Sequence, residues 1–175
     1  MTMKTIAQLF DLGGKGAVVT GGAMGIGQGI AFRLAEAGAG VMVADLDLKA
    51  ATQTAQQIEA RGGKAKAIRA DVRSAADAGK VAQATVDAFG SLDILVNAVA
   101  PGGIITPGAI AASPSMQKAL DMTEAEILPT HLARVPLNKL GEPDDIGKVV
   151  LFLVSEAADF VTGTMISADA GFLVT

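Results

Sequence analysis

Thr20-Gly21-Gly22-Ala23-Met24-Gly25-Ile26-Gly27 is the segment best suited to chemistry. Glycine takes backbone angles closed to other residues and lets a bulky group approach the main chain. A helix opening inside the segment would add free N–H groups and the positive end of its dipole, a combination that holds phosphate. The same residues also suit a tight strand-to-helix turn with no ligand. Asp45 argues for the ligand, because it ends the next apolar run. In a strand–turn–helix unit an acidic residue there accepts hydrogen bonds from the hydroxyls of an adenosine ribose. It would also repel a 2′-phosphate, and neither Leu46 nor the turn residues Gly22 to Met24 bring an Arg or Lys to neutralise one. The pattern points to NAD rather than NADP, held by Gly21, Met24, Gly25, Ile26, Gly27, Asp45 and Leu46. Asp45 also suits a plainer role, as a solvated strand end or a helix cap.

Groups for making and breaking bonds are scarce. The chain has no Cys, so it forms no disulfide and no thiolate metal site, which suits a reducing compartment. It has no Tyr. His131 is the single side chain that ordinarily titrates near neutrality, and it lies in a proline-interrupted stretch that reads as surface loop. Ser113, Ser115 and Lys118 read the same way. A net charge of −4, with 3% aromatic residues and no basic stripe, excludes a nucleic-acid groove. The basic clusters at 61–66 and 134–139 read as solvated surface. No apolar run reaches the ~20 residues of a membrane span, and residues 1–10 lack the apolar stretch of a signal peptide. The expectation is a soluble, cytoplasmic protein with no nucleic-acid or membrane partner.

Repeating strand–helix units position these residues. Ala17-Val18-Val19-Thr20 predicts a buried parallel strand, and Ile26, Ile30 and Leu34 mark the stripe of a helix that stops at Gly38. Residues 41–45 predict the second strand; Leu48, Ala51, Ala55 and Ile58 predict a helix that ends at Gly62-Gly63. Residues 66–71 predict the third strand, and Ser74 with Asp77 resembles a capping box opening a helix over 75–89. Ile94-Leu95-Val96-Asn97 predicts a fourth strand. Residues 109–138 read as loop with one or two short helices, because Pro114, Pro129 and Pro136 interrupt them. Pro143 opens a last helix, with Asp144 and Asp145 in its first turn, and residues 164–168 predict a last strand. The fold class is α/β, one Rossmann-type domain over 1–175 with a doubly wound parallel sheet. Residues 107–141 are expected to form a substrate-side lid.

These residues together resemble the short-chain dehydrogenase/reductase family over nearly the whole chain. The family's Thr-Gly-x-x-x-Gly-x-Gly pattern is matched from Thr20 to Gly27. Asp71-Val72 matches a pair that contacts adenine in the family. Pro101-Gly102, Ile104 and Thr106-Pro107 match a loop that holds the nicotinamide end. Asn97 and Ala98, where the fourth strand ends, complete the implied cofactor contacts. Pro136-Leu137-Asn138-Lys139-Leu140-Gly141-Glu142-Pro143 and Thr162-Gly163 also match. Ala168-Asp169-Ala170-Gly171 departs from the usual Val-Asp-Gly-Gly.

The middle of the family pattern is missing: two long helices, a strand bearing the catalytic Ser, and the Tyr-x-x-x-Lys. Val96-Asn97-Ala98 resembles both the end of the family's fourth strand and that of its sixth, so the chain reads as an internal deletion joined at a shared string. The sheet should then be shortened, running third, second, first, hybrid and last strand. In the family a Tyr hydroxyl passes the proton while a hydride moves between NAD and an alcohol or carbonyl compound. Three expectations follow: an NAD(H)-binding family member with lost or very weak activity, an active enzyme whose central segment is missing from the sequence as given, or a non-enzymatic binding or assembly module. The sheet face beside residues 75–89 should lose cover, so the chain should form a homo-oligomer or fold residues 109–138 across that face.

Overall fold

A computed structural model describes residues 3–174. Four of the apolar runs form strands, β1 Gly16–Thr20, β2 Gly40–Asp45, β3 Lys64–Arg69 and β4 Ile94–Val96. They pair in parallel in the order β3-β2-β1-β4, with Val18 opposite Met42 on one side and Leu95 on the other. β1 and β2 consist mainly of small and branched apolar residues because both faces of a parallel sheet are covered.

A short helix, α1 Ile6–Leu9, precedes the sheet, and the others follow the strands: α2 Gly25–Glu36, α3 Leu48–Ala60, α4 Ala75–Phe89, α5 Pro107–Leu120, α6 Glu124–Leu132 and α7 Pro143–Val154. Ile30 and Leu34 of α2, Ile58 of α3, and Ile146 and Val150 of α7 pack on Val19, Val41 and Val43. On the opposite face Val81 and Phe89 of α4 pack on Val18, Met42 and Ala44. Right-handed crossovers give this division. α2 and α7 approach closely because both are glycine at the contact: a Cβ at Gly147 would stand 2.8 Å from the Gly29 carbonyl oxygen. Asp144 in the first turn of α7 accepts from Arg33 of α2 and is paired with Lys148. Arg33, then Lys148, holds the Asp144 carboxyl well below the usual carboxylate range.

Three expectations need correction. The last strand does not form: residues 164–168 are irregular, and 161–167 are exposed. The Ala168 carbonyl accepts from the Gly102 N–H. The described sheet therefore ends at β4. Next, prolines do not break residues 109–138 into loop. α5 continues through Pro114 and α6 through Pro129. α5 is largely exposed, including Ile110, so water can solvate the carbonyl that Pro114 leaves without a donor. Finally, the third strand lies two residues earlier than 66–71.

The face beside α4 is left partly bare. Leu95, opposite Val18 on that face, is 65% exposed. α5 and α6 do not cover it, so the structure removes one of the two expected outcomes for residues 109–138.

Candidate cofactor site

Every strand of a parallel sheet points its C-terminal end at one edge, and ligands of such sheets bind there. Gly21, Asp71 and Asn97 lie in the loops after β1, β3 and β4, and Asp45 is the last residue of β2. Four residues distant in sequence thus meet at one rim.

At the centre is the turn from β1 into α2. Gly21 and Gly25 have φ of +64° and +56°, the left-handed region that favours glycine. A Cβ on Gly21 would meet nothing within 4 Å, so the turn encloses open space. Gly27 is needed for packing, since a Cβ there would lie 2.1 Å from the Gly21 carbonyl oxygen. Met24, the N-cap of α2, offers no side-chain hydrogen bond, so the first-turn N–H groups, Ile26 and Gly27 included, keep no side-chain cap. An open cradle at an uncapped helix start fits a phosphate.

Asp45 is held beside this turn. One carboxylate oxygen accepts from the Ala23 N–H at 3.2 Å and the other from the Asp47 N–H at 3.0 Å. The cap of α3 is Asp47, which accepts from the Ala50 N–H, so the capping role considered for Asp45 falls to its neighbour. Leu46 and Met24 are both more than half exposed beside it. Past β3, Asp71 accepts from the Arg73 guanidinium at 2.7 and 3.0 Å, which with the Arg73 N–H lowers its pKa to about 2. Val72 is exposed. On the far side the Thr20 hydroxyl lies 3.1 Å from both the carbonyl and the side-chain oxygen of Asn97, which ties the turn to the end of β4. Ala98 is exposed beyond it.

The loop through Pro101 and Gly102 turns back over the start of α2. The Gly103 carbonyl accepts from the Gly141 N–H, and Ile105 donates to the Gly141 carbonyl, each at 2.9 Å. In such a parallel bridge the N–H and C=O of Ile104 face away from Gly141. The Thr106 side chain would lie 3.5 Å from a Cβ on Gly25, so the loop ends against the glycine turn.

Other features were not legible in the sequence. Buried Thr54 donates to the Ala23 carbonyl at 2.8 Å, and Gln28 donates to Thr54 at 2.9 Å, which fixes the turn from behind. The available signal was a polar residue within the apolar stripe of α3. Arg69 stands opposite Asp45 in register, and its charge acts on Asp71 and Asp77. His131 is not in a loop. It lies in the last turn of α6, stacked on Phe172 at 5.5 Å, and lines a groove of about 500 Å³ with Gly103, Asp145 and Asp169. A wider groove of about 840 Å³ follows the outer side of α2 and meets the strand-end rim at Met24 and Gly25. No helix among the described residues is long and apolar enough to cross a membrane.

Several known proteins are similar to this chain. The profile of the family described as short chain dehydrogenase matches residues 15–127, and that described as enoyl-(acyl carrier protein) reductase matches 103–173. A 2,5-dichloro-2,5-cyclohexadiene-1,4-diol dehydrogenase of Sphingobium indicum is 28% identical, with 93% of this chain and 98% of the relative covered. A 7α-hydroxysteroid dehydrogenase of Escherichia coli is 26% identical, with coverage of 91% and 94%. The first alignment runs over 244 positions against a chain of 175 residues, so at least 69 positions of the relative face no residue here. Among solved structures, a 7α-hydroxysteroid dehydrogenase complexed with NADH and 7-oxo glycochenodeoxycholic acid superimposes with a TM-score of 0.78 at 25% identity, covering 97% of this chain and 98% of that one. The protein gox2181 shares the fold with a TM-score of 0.81 at 21% identity, covering 96% and 99%.

Proposed function

The chain belongs to the short-chain dehydrogenase family, and from that premise we propose that it binds NAD(H) at the strand ends but lacks the proton-transfer half of the family's reaction. The observation that carries the reading is Asp45, whose carboxylate is fixed beside the Ala23 N–H at the mouth of the glycine turn. Asp45 takes the adenosine ribose hydroxyls, the start of α2 takes the pyrophosphate, and Asp71 and Val72 flank the adenine. Ile104, with its amide facing away from Gly141, and Thr106 meet the nicotinamide end. Bound NAD supplies or accepts a hydride; no Tyr in this chain can pass the accompanying proton. The substrate class is an alcohol or its carbonyl counterpart, in keeping with the ring alcohols in the relatives' names. Residues 107–141, with α5 and α6 exposed, form the lid on that side.

NAD(H) should bind more tightly than NADP(H), because Asp45 repels a 2′-phosphate. Asp45→Ala should weaken NAD binding by about 1–3 kcal/mol, the scale for hydrogen bonds to a charged group. Calorimetric titration of both cofactors checks this; equal affinities, or a preference for NADP(H), would overturn the role given to Asp45.

A second reading has one observation in its favour. The alignment reaches both ends of the relative while at least 69 of its positions stay unmatched. An active enzyme whose central segment is missing from this sequence would give the same pattern. The intact mass decides, since the chain as given weighs 17.6 kDa.

The chain also forms a homo-oligomer through the face beside α4. Leu95 is bare there, and β4 ends the described sheet with a free edge, a template for pairing with another chain. Sedimentation should show self-association that Leu95→Lys reduces. A monomer that binds no apolar dye would refute this.

A further inference from the structure

Resting on the cofactor reading above, we propose that Thr54 is a positioning residue of the site. Its hydroxyl fixes the Ala23–Met24 peptide, and through it sets how tightly the chain holds NAD(H) and how well Asp45 selects against NADP(H). Thr54 is 0% exposed, so it acts on a ligand only through the turn. It stands in the buried stripe of α3 with Ala51, Ala55 and Ile58, where an alanine or valine would pack with no polar group to satisfy. A threonine inside a helix commonly donates to the carbonyl four residues back. Thr52 and Thr85 do so, to Leu48 and Val81, each at 2.7 Å. Thr54 instead donates to the Ala23 carbonyl, in another element, at 2.8 Å. The direction is forced: the Gln28 side-chain N–H donates to the same hydroxyl at 2.9 Å, which leaves the Ala23 carbonyl to take the Thr54 proton.

Across a trans peptide the C=O and the N–H point opposite ways. With the Ala23 carbonyl turned back onto α3, the Met24 N–H faces away from that helix, and nothing among the described residues accepts from it. The preceding peptide is fixed as well, because the Ala23 N–H donates to Asp45 at 3.2 Å. The other oxygen of Asp45 is held by the Asp47 N–H, and Asp47 caps the same α3 at Ala50. One helix therefore anchors both the glycine turn and Asp45. Without the Thr54 hydroxyl the Ala23–Met24 peptide is free to rotate, its N–H leaves the cradle, and Asp45 loses a fixed partner. Groups already held in place bind a ligand better than groups the ligand must order.

Calorimetric titration of the whole chain with NAD⁺ and with NADP⁺, well below the melting temperature, tests this. Thr54→Val keeps the shape and removes the hydroxyl. It should weaken NAD⁺ binding about three- to tenfold, the span of one net hydrogen bond, and lower the ratio of NAD⁺ to NADP⁺ affinity. Thr54→Ser should restore both. With Asp45→Ala already in place, Thr54→Val should cost NAD⁺ binding less than it does in the parent, because the two residues act through Ala23. If Thr54→Val does not fold, Thr54→Cys, whose S–H is a weak donor, takes its place with the same expected direction. A variant that melts lower yet binds NAD⁺ like the parent, an unchanged cofactor ratio, no rescue by serine, or losses that simply add to those of Asp45→Ala would each reduce Thr54 to a brace of the fold. Any of these overturns the proposal and leaves the cofactor reading intact. Failure of the parent chain to bind NAD⁺ would overturn that reading, and this proposal with it.

Discussion

Preparations of the 17.6 kDa chain should reduce carbonyl compounds with NADH at least about 10²–10⁴-fold more slowly than a complete member of the family, the range that general acid–base help supplies. The reason lies in composition. Hydride transfer to a carbonyl leaves an alkoxide that must gain a proton, and this chain has no Tyr to give one. Its single imidazole, His131, is stacked on Phe172 beside Gly103. A substrate would also lack the wall that the absent strands provide, so misplacement adds to the loss. Consumption of NADH over a panel of ring and open-chain ketones, with protein of verified mass, measures the effect. Turnover of roughly 1–10³ per second, the ordinary enzyme range, would refute the claim that proton transfer is missing. His131→Gln would then be the first variant to examine.

A large stability effect should follow from one methyl group. Gly27→Ala places a Cβ 2.1 Å from the Gly21 carbonyl oxygen and 2.7 Å from its carbon. These are backbone atoms, so no side chain can swing aside, and the turn must part from α2. Overpacking typically costs about 1–3 kcal/mol and occasionally more; with rigid backbone on both sides we expect the upper end. A 3 kcal/mol loss would lower Tm by about 6–12 °C in a domain of this size. NAD binding should fall with it, because the displaced turn is the phosphate cradle. Gly79→Ala is the control. Gly79 is exposed in the middle of α4, and its added Cβ would meet nothing within 4 Å. There the change should stabilise the chain by roughly 0.5–1 kcal/mol through helix propensity alone. Thermal melts and NADH fluorescence on both variants check the pair. A Gly27→Ala chain that melts and binds like the parent would show that the turn yields where it is described as rigid.

The local grammar of the chain was legible without the structure. Short apolar runs marked β1, β2 and β4, the first of them bounded by glycines, and apolar stripes at helical spacing marked α2, α3, α4 and α7, because burial on one face imposes those periods. The glycine turn and Asp45 pointed to a phosphate and a ribose for similarly local reasons: each is a short string with a chemical function of its own. Elements whose state depends on distant partners were not legible. Residues 164–168 have the composition of a strand and are irregular, because a strand forms only where a neighbouring backbone comes into register with it, which no local string specifies. Pro114 and Pro129 read as helix breakers, yet α5 and α6 run through them.

What the sequence by itself determined is the alternation of β1 to β4 with α2, α3 and α4, the glycine turn followed by Asp45 at the end of the next strand, and the absence of any Tyr, because each follows from residue type and spacing. Only the tertiary structure decided that Asp45 is held by the Ala23 N–H, that Thr54 braces the same turn, that Gly29 and Gly147 let α2 and α7 meet, and that Leu95 is left bare beside α4. Those features depend on which surfaces come within a few ångströms of each other, and close packing of whole elements settles that, not any local pattern.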